Sequence, residues 1–267
     1  MTAAAGRLGA LSRWAVLVVA AGLWEALARA AGSPFFPPPS VIAAHIYQLW
    51  FSGPAAHLFL TRDATGNLLP SLGRVLAGLA IAIAAGGITG LALGRSRVLA
   101  GYLDPVLQFT RALPTVTLVP VFIALLRIGT PMEVATIAFG TVWPILLNTA
   151  DGARSVDPVQ VETARVFRLP AWQRLTALII PAALPKFFAG LRLAVSLSLI
   201  LMVFAELAGS SNGLGYEMNN AESSFNMVSL WATIVLLAVL GNVLNLLELA
   251  VEHRVLRWYT GARQKGA

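Results

Sequence analysis

Apolar residues in this chain come in runs about as long as a membrane crossing, separated by shorter stretches that hold most of the charges. A helix needs about 20 largely apolar residues to cross roughly 30 Å of hydrocarbon, because each residue advances about 1.5 Å and every backbone amide must pair inside the segment. The pattern predicts about six such helices. Val75 to Leu93 carries no charge, and Val228 to Leu247 is nearly as clear. Trp14 to Ala31 tolerates Glu25 and Arg29, and Met132 to Ala150 has Glu133 at its edge. Leu113 to Leu126 is shorter and contains Pro114 and Pro120, while Leu191 to Leu207 starts with Arg192, whose long stem can reach the interface. The expected fold class is an all-α integral membrane protein.

Composition agrees. Of 267 residues, 57% are apolar and 12% charged, about half the charged fraction of a soluble domain, so the surface needs lipid around it. With no cysteine, disulfides, thiolate metal sites and a cysteine nucleophile are excluded. The net charge of +7 could suggest nucleic acid, but the basic residues stand singly between apolar runs and read as topology. With the N-terminus inside, every Lys and Arg except Arg29, Arg62, Arg74 and Arg127 falls on the inner side. That asymmetry predicts cytoplasmic termini in a multi-pass protein. The organisation expected is a tail over 1–12, one transmembrane domain over 13–258 with a cytoplasmic loop at 153–186, and a tail over 259–267. An alternative for the first segment is a cleaved signal sequence, since Arg7 and Arg13 precede the run and Ala28-Arg29-Ala30 has the small-x-small form.

Chemistry inside the spans is sparse. His45, His57 and His253 all lie off them, which disfavours an embedded hydrolase. A proton-coupled carrier buries an acid near mid-membrane; here the acids sit at or near span ends, Glu25, Glu206 and Glu248 being the nearest exceptions. No catalytic residue and no metal site is expected. Small residues Gly78, Ala82, Gly86, Gly90 and Gly94 recur every fourth position, making a nearly bare helix face that another helix can approach closely. Pro114, Pro120 and Pro144 interrupt span ladders, as kinks beside a pathway or as simple bends. Thr115, Thr117, Asn148, Ser196, Ser198 and Met202 are the candidate pathway side chains, small and mostly neutral.

The loop from Ala153 to Lys186 has charges mixed among apolar residues and reads as structured. Asp157-Pro158 starts a helix, with Asp as cap and Pro at the first helical position. Leu169-Pro170 closes it after about three turns. Trp172 to Ile180 forms a second short helix stopped by Pro181. Two uses fit: a helix under anionic headgroups, with Arg165, Arg168 and Arg174 reaching lipid, or a docking knob for a soluble partner.

Val161-Glu162-Thr163-Ala164-Arg165-Val166-Phe167-Arg168, followed by Leu178-Ile179-Ile180-Pro181, resembles the EAA signature of permease subunits of bacterial ATP-binding-cassette importers. That signature runs Glu-Ala-Ala, three residues, Gly, nine residues, Ile-x-Leu-Pro. Glu162, Ala164 and Pro181 are in register. Thr163 replaces an Ala, Leu178 and Ile180 replace Ile and Leu, and Arg168 replaces the Gly that permits a tight turn after the coupling helix. Trp24-Glu25, Phe36-Pro37-Pro38-Pro39-Ser40, Ser71-Leu72 with Arg74, Val75 and Gly78, Trp143 to Thr149 with Gly152, Pro181 to Pro185, Gly190-Leu191-Arg192, and Glu206 with Gly213-Leu214-Gly215-Tyr216 resemble the nitrate, sulfonate and taurine subfamily over roughly residues 20 to 258.

The resemblance implies a type I importer permease in the bacterial inner membrane. It implies a coupling helix, with Glu162 pairing a basic group on a cytoplasmic ATPase, Ala164 allowing close packing and Phe167 anchoring the helix; Thr163, Arg165 and Arg168 belong to the same segment. It also implies a periplasmic solute-binding protein and a second permease subunit, a homodimer being simplest. ATP and Mg would be used by the ATPase. This chain has no P-loop of the form G-x-x-x-x-G-K-[ST], since Lys186 follows Pro185 and Lys265 follows Gln264, and no cofactor is expected on it. A self-contained carrier or channel, or a structural scaffold, are the competing classes.

Overall fold

The structure is a computed structural model describing residues 2–259. Among the described residues it is helical without a strand. In order the helices are α1 (Thr2–Ala31), α2 (Pro39–Trp50), α3 (Leu69–Arg95), α4 (Arg97–Ala112), α5 (Val119–Leu126), α6 (Thr130–Arg154), α7 (Pro158–Val166), α8 (Ala171–Arg174), α9 (Ile180–Leu207), α10 (Leu214–Ser223) and α11 (Met227–Val255). The expected C-terminal tail lies, apart from Tyr259, outside the described residues. α1 already begins at Thr2, within the stretch expected as an N-terminal tail.

α6 is the centre of the bundle, packed between α3 and α9. The small-residue stripe makes the first of these contacts. A Cβ added at Gly78 would meet Ile137 Cγ2 at 2.5 Å, one at Gly90 the Leu146 carbonyl at 2.6 Å, and one at Gly94 the Ala153 Cβ at 2.5 Å. Gly86 is slightly less tight, with the Val142 carbonyl at 2.9 Å, and Ala82 is fully buried. The partner of the stripe is therefore α6 of the same chain. Gly152 and Gly190 repeat the device between α6 and α9, where added Cβ atoms would meet Ala183 Cα at 2.9 Å and the Pro144 carbonyl at 2.5 Å. Val75, Leu79, Ile137, Ile145, Ala194, Leu201, Met202 and Leu236 fill the core between α3, α6, α9 and α11, while Ile88, Leu193 and Leu246 stay exposed, as surfaces facing lipid would be.

Four described helical stretches are long and apolar enough to cross a membrane: Ala64–Arg95, Thr130–Arg154, Ala171–Leu207 and Met227–Val255. Two sequence expectations change. Leu113 to Leu126 is not a span by itself: it is a 3-10 turn at Thr115–Leu118 followed by the short α5. Only together with α4, across an 86° bend, does it reach spanning length. Pro114 lies in that bend and Pro120 in the first turn of α5, so neither kinks a continuous helix; Pro144 does lie inside α6. Pro181 also fails to stop the chain. A widened turn over Leu175–Ile179, in which Ile180 N donates to the Leu175 carbonyl, carries α8 into α9 and places Pro181 in the first turn of α9, where its missing N–H is tolerated.

Candidate functional site

The bundle has two chemically different ends. Where α3 and α6 begin and α9 finishes, three charged side chains meet. Arg74 is 5% exposed and Glu133 and Glu206 are buried. Arg74 Nη1 donates to Glu206 Oε1 at 2.7 Å and to the Asn212 carbonyl at 3.0 Å, and its Nη2 donates to Asn212 Oδ1 at 2.5 Å. Its Nε faces Glu133 Oε2 at 2.5 Å, an ion contact without hydrogen-bond alignment, and donates to Thr130 Oγ1 at 3.4 Å. Glu206 also accepts from Ser71 Oγ at 2.7 Å and from Gly215 N at 2.8 Å.

The loop after α9 folds onto this knot because its residues permit it. Gly213 has φ +116°, and a Cβ there would lie 2.4 Å from the Glu206 carboxyl carbon, so only glycine fits. Asn67 Oδ1 accepts from Gly213 N at 3.0 Å and Ser71 Oγ from Leu214 N at 2.8 Å. These side chains satisfy donors at the start of α10, where a helix has no internal partners. Glu217 on α10 is half-buried and receives Asn67 Nδ2 at 3.4 Å; burial first, and then the charge of Asp63, push its carboxyl above the ordinary range. Nearby, Glu25 accepts from Arg29, from Ser40 N at 3.0 Å and from Ser40 Oγ at 2.7 Å, tying α1 to α2.

At the opposite end α7 projects from the bundle. Asp157 caps it as the sequence predicts, its carboxylate accepting from Val159 N at 2.8 Å with Pro158 in the first turn. The exit is a tight turn at the position expected for it. Arg168 has φ +53°, Arg168 N donates to the Arg165 carbonyl at 2.9 Å, and Leu169 N donates to the Ala164 carbonyl at 2.9 Å. This is the paired cap that glycine normally closes, made here by an arginine in left-handed backbone.

The faces of α7 differ. Ala164 is buried, so the close approach it permits is to its own chain. Val159, Val166 and Phe167 are exposed, Phe167 at 74%, and Trp172 beyond the turn is exposed too. Thr163 is exposed on the same side, its hydroxyl turned back to the Val159 carbonyl at 2.8 Å. Glu162 and Arg165 point the other way, toward a recess of about 770 Å³ bounded by the ends of α3 and α6 and the start of α4.

The six candidate pathway residues do not share one environment. Ser198 and Met202 are in the core, with Ser198 Oγ donating to the Val195 carbonyl at 2.7 Å. In this chain they help pack α9 instead of facing open space. Asn148 turns its amide onto the Pro144 carbonyl at 2.8 Å beside Gly190. Thr115 packs near Gly140, while Thr117 and Ser196 are exposed. Sequence reasoning missed the Arg74, Glu133 and Glu206 knot. The sequence places Arg74 on the outer side just before the span at Val75 and Glu133 at the edge of another; the usable signal is that each sits close to an apolar run and needs a partner once buried.

Solved structures share this bundle of apolar helices with an external helical loop. An inward-facing form of the MetNI methionine ABC transporter matches 71% of this chain and 94% of its own, with TM-score 0.60 and 15% identity. An amino acid ABC transporter solved with histidines matches 72% of this chain and 92% of its own at TM-score 0.55 and 14% identity. Residues 78–257 match the family described as binding-protein-dependent transport system inner membrane component, and the chain belongs to that family. Among its relatives, a Bacillus subtilis protein named for aliphatic sulfonates transport, SsuC, is 32% identical over 75% of this chain and 73% of its own. The bicarbonate transport system permease protein CmpB of Synechococcus elongatus is 31% identical over 71% and 68%. The nitrate import permease protein NrtB of the same organism is 30% identical over 73% and 70%.

Proposed function

We propose that this permease subunit works without catalytic residues of its own, carrying a small anion across the inner membrane in an importer powered by a separate ATPase. The relatives named above are each named for an anionic solute, a sulfonate, bicarbonate or nitrate, which supports that substrate class. A periplasmic binding protein delivers the solute to the knot end, and both termini are cytoplasmic, as the asymmetry of basic residues supports.

The observation that carries the coupling role is α7, folded and capped, with Val159, Val166 and Phe167 held out of the bundle. Exposed apolar groups on a rigid helix are what a soluble partner can bury. Closure of an ATPase dimer would then move α7 and, through the continuous helix of α8 and α9, tilt the core spans. Two copies form the pathway. The uncovered apolar side chains of α4 and α5, including Tyr102, Val106, Phe109 and Leu125, leave surface for a second subunit.

The test is uptake in proteoliposomes with the ATPase and binding protein supplied. Val166→Ser and Phe167→Ser, both on the outward face of α7, should insert normally and bring ATP-dependent uptake to background. Unchanged uptake by both refutes the coupling assignment. Uptake by the wild-type chain alone under an ion gradient would instead make it a carrier.

A further inference from the structure

The recess beside α7 is lined by four arginines, Arg95, Arg97, Arg154 and Arg165, with Asp104 and Glu162 as its acidic residues. None of these six side chains has an ion-pair or hydrogen-bond partner among the described residues. Four cations against two anions around one concavity leave a net positive surplus. The contrast with Arg74, which reaches acceptors from all three nitrogens, shows that this chain can neutralise an arginine internally when the fold requires it. The first turns of α4 and α7 also border the recess, adding the positive ends of two helices.

We propose that this recess binds an oxyanion, a sulfate-like, phosphate-like or carboxylate-like group held by the forked donors of its arginines. Guanidinium groups match such oxygens in pairs, and about 770 Å³ is far more than one such group needs, leaving room for the rest of its carrier. The group can belong to a free anion or to the headgroup of an anionic lipid. A protein surface is a poorer fit: the charged groups line a hollow, whereas the protruding apolar residues are on the other face of α7. Pro158, Val161, Glu162 and Arg165 face the recess at helical spacing, so an anion there holds one side of the helix whose other side, on the coupling reading above, meets the ATPase.

The experiment uses the complete transporter with its ATPase in nanodiscs, with sodium sulfate as probe against sodium chloride at matched ionic strength. In purely zwitterionic lipid, sulfate should raise the thermal midpoint of the wild type and bind by calorimetry. Arg95→Gln with Arg154→Gln should weaken that binding at least about tenfold, the scale of losing a charge-assisted contact. The charge-matched control, Arg62→Gln with Arg127→Gln at the other end, should not. If nanodiscs containing phosphatidylglycerol abolish the sulfate response in the wild type, the lipid headgroup is the occupant; if the response persists, a free anion is. Absence of a sulfate response in zwitterionic lipid, or an equal response in the recess variant, overturns the proposal. Intact ATPase association in that outcome rejects the recess alone, whereas loss of association in the Phe167→Ser variant bears only on the coupling reading.

Discussion

At one end of the bundle Arg74 finds acceptors on α6, on α9 and on the loop beyond it, whereas at the other end Arg95, Arg97, Arg154 and Arg165 find none among the described residues. The apolar residues follow the same division. Leu214 is fully buried in the turn that closes over Glu206, while Val159, Val166 and Phe167 stand in the open on α7. A group whose partners lie within its own chain contributes to holding the fold. One left without them contributes once something else arrives. The two ends therefore separate what keeps this subunit together from what it offers to others.

The sharpest way to break that comparison is Arg74→Gln. It leaves two buried carboxylates facing each other without a cation, and loss of one partner from a buried ionic cluster costs about 3–5 kcal/mol. The variant should show strongly reduced yield and thermal stability in detergent. Stability close to wild type would mean the knot is not structural. Gly90→Leu comes next. Even a Cβ would lie 2.6 Å from the Leu146 carbonyl, so α3 must move off α6, at a cost of about 1–3 kcal/mol or more. Early elution as aggregate in size-exclusion chromatography is the expected readout, and the same direction holds for Gly86→Leu.

Those two variants also divide what the sequence shows from what it hides. The stripe was legible because a spacing of four on a helix is a local pattern, although its partner α6 was not. The start of α7 was legible because Asp157 and Pro158 act within one turn. The knot was not, since Arg74, Glu133 and Glu206 come from three helices and nothing local brings them together. Leu113 to Leu126 misled for a related reason: its hydropathy suits a span, but Pro114 breaks the helix and the rest of the crossing length belongs to α4. The split of α7 into an outward face and a face on the recess likewise depends on where α3, α4 and α6 end.

Arg168→Gly sharpens the comparison from the exposed end. A non-glycine residue in left-handed backbone costs about 1 kcal/mol, and Arg168 sits there at φ +53° while the cap around it is fully formed. The substitution should leave the fold unchanged and slow hydrogen exchange of the α7 amides by roughly fivefold, the local equivalent of about 1 kcal/mol. Faster exchange would show that the arginine side chain holds the turn by a contact of its own.

The smallest expected effect returns to the knot end, at Glu217. Its carboxyl is pushed up by burial and by Asp63, with only the 3.4 Å contact from Asn67 in its favour. The sign follows from proton counting. Above the ordinary glutamate range the unfolded chain has released this proton while the folded chain still holds it, so the folded state binds more protons and stability falls as pH rises. The fall begins near the unfolded value and ends once pH passes the raised folded value. Glu217→Gln should therefore flatten the thermal midpoint against pH in that window, and Asp63→Asn should flatten it partly. A slope unchanged in both variants would place Glu217 in free exchange with solvent, and the paired character of this end would then stop at Asn67.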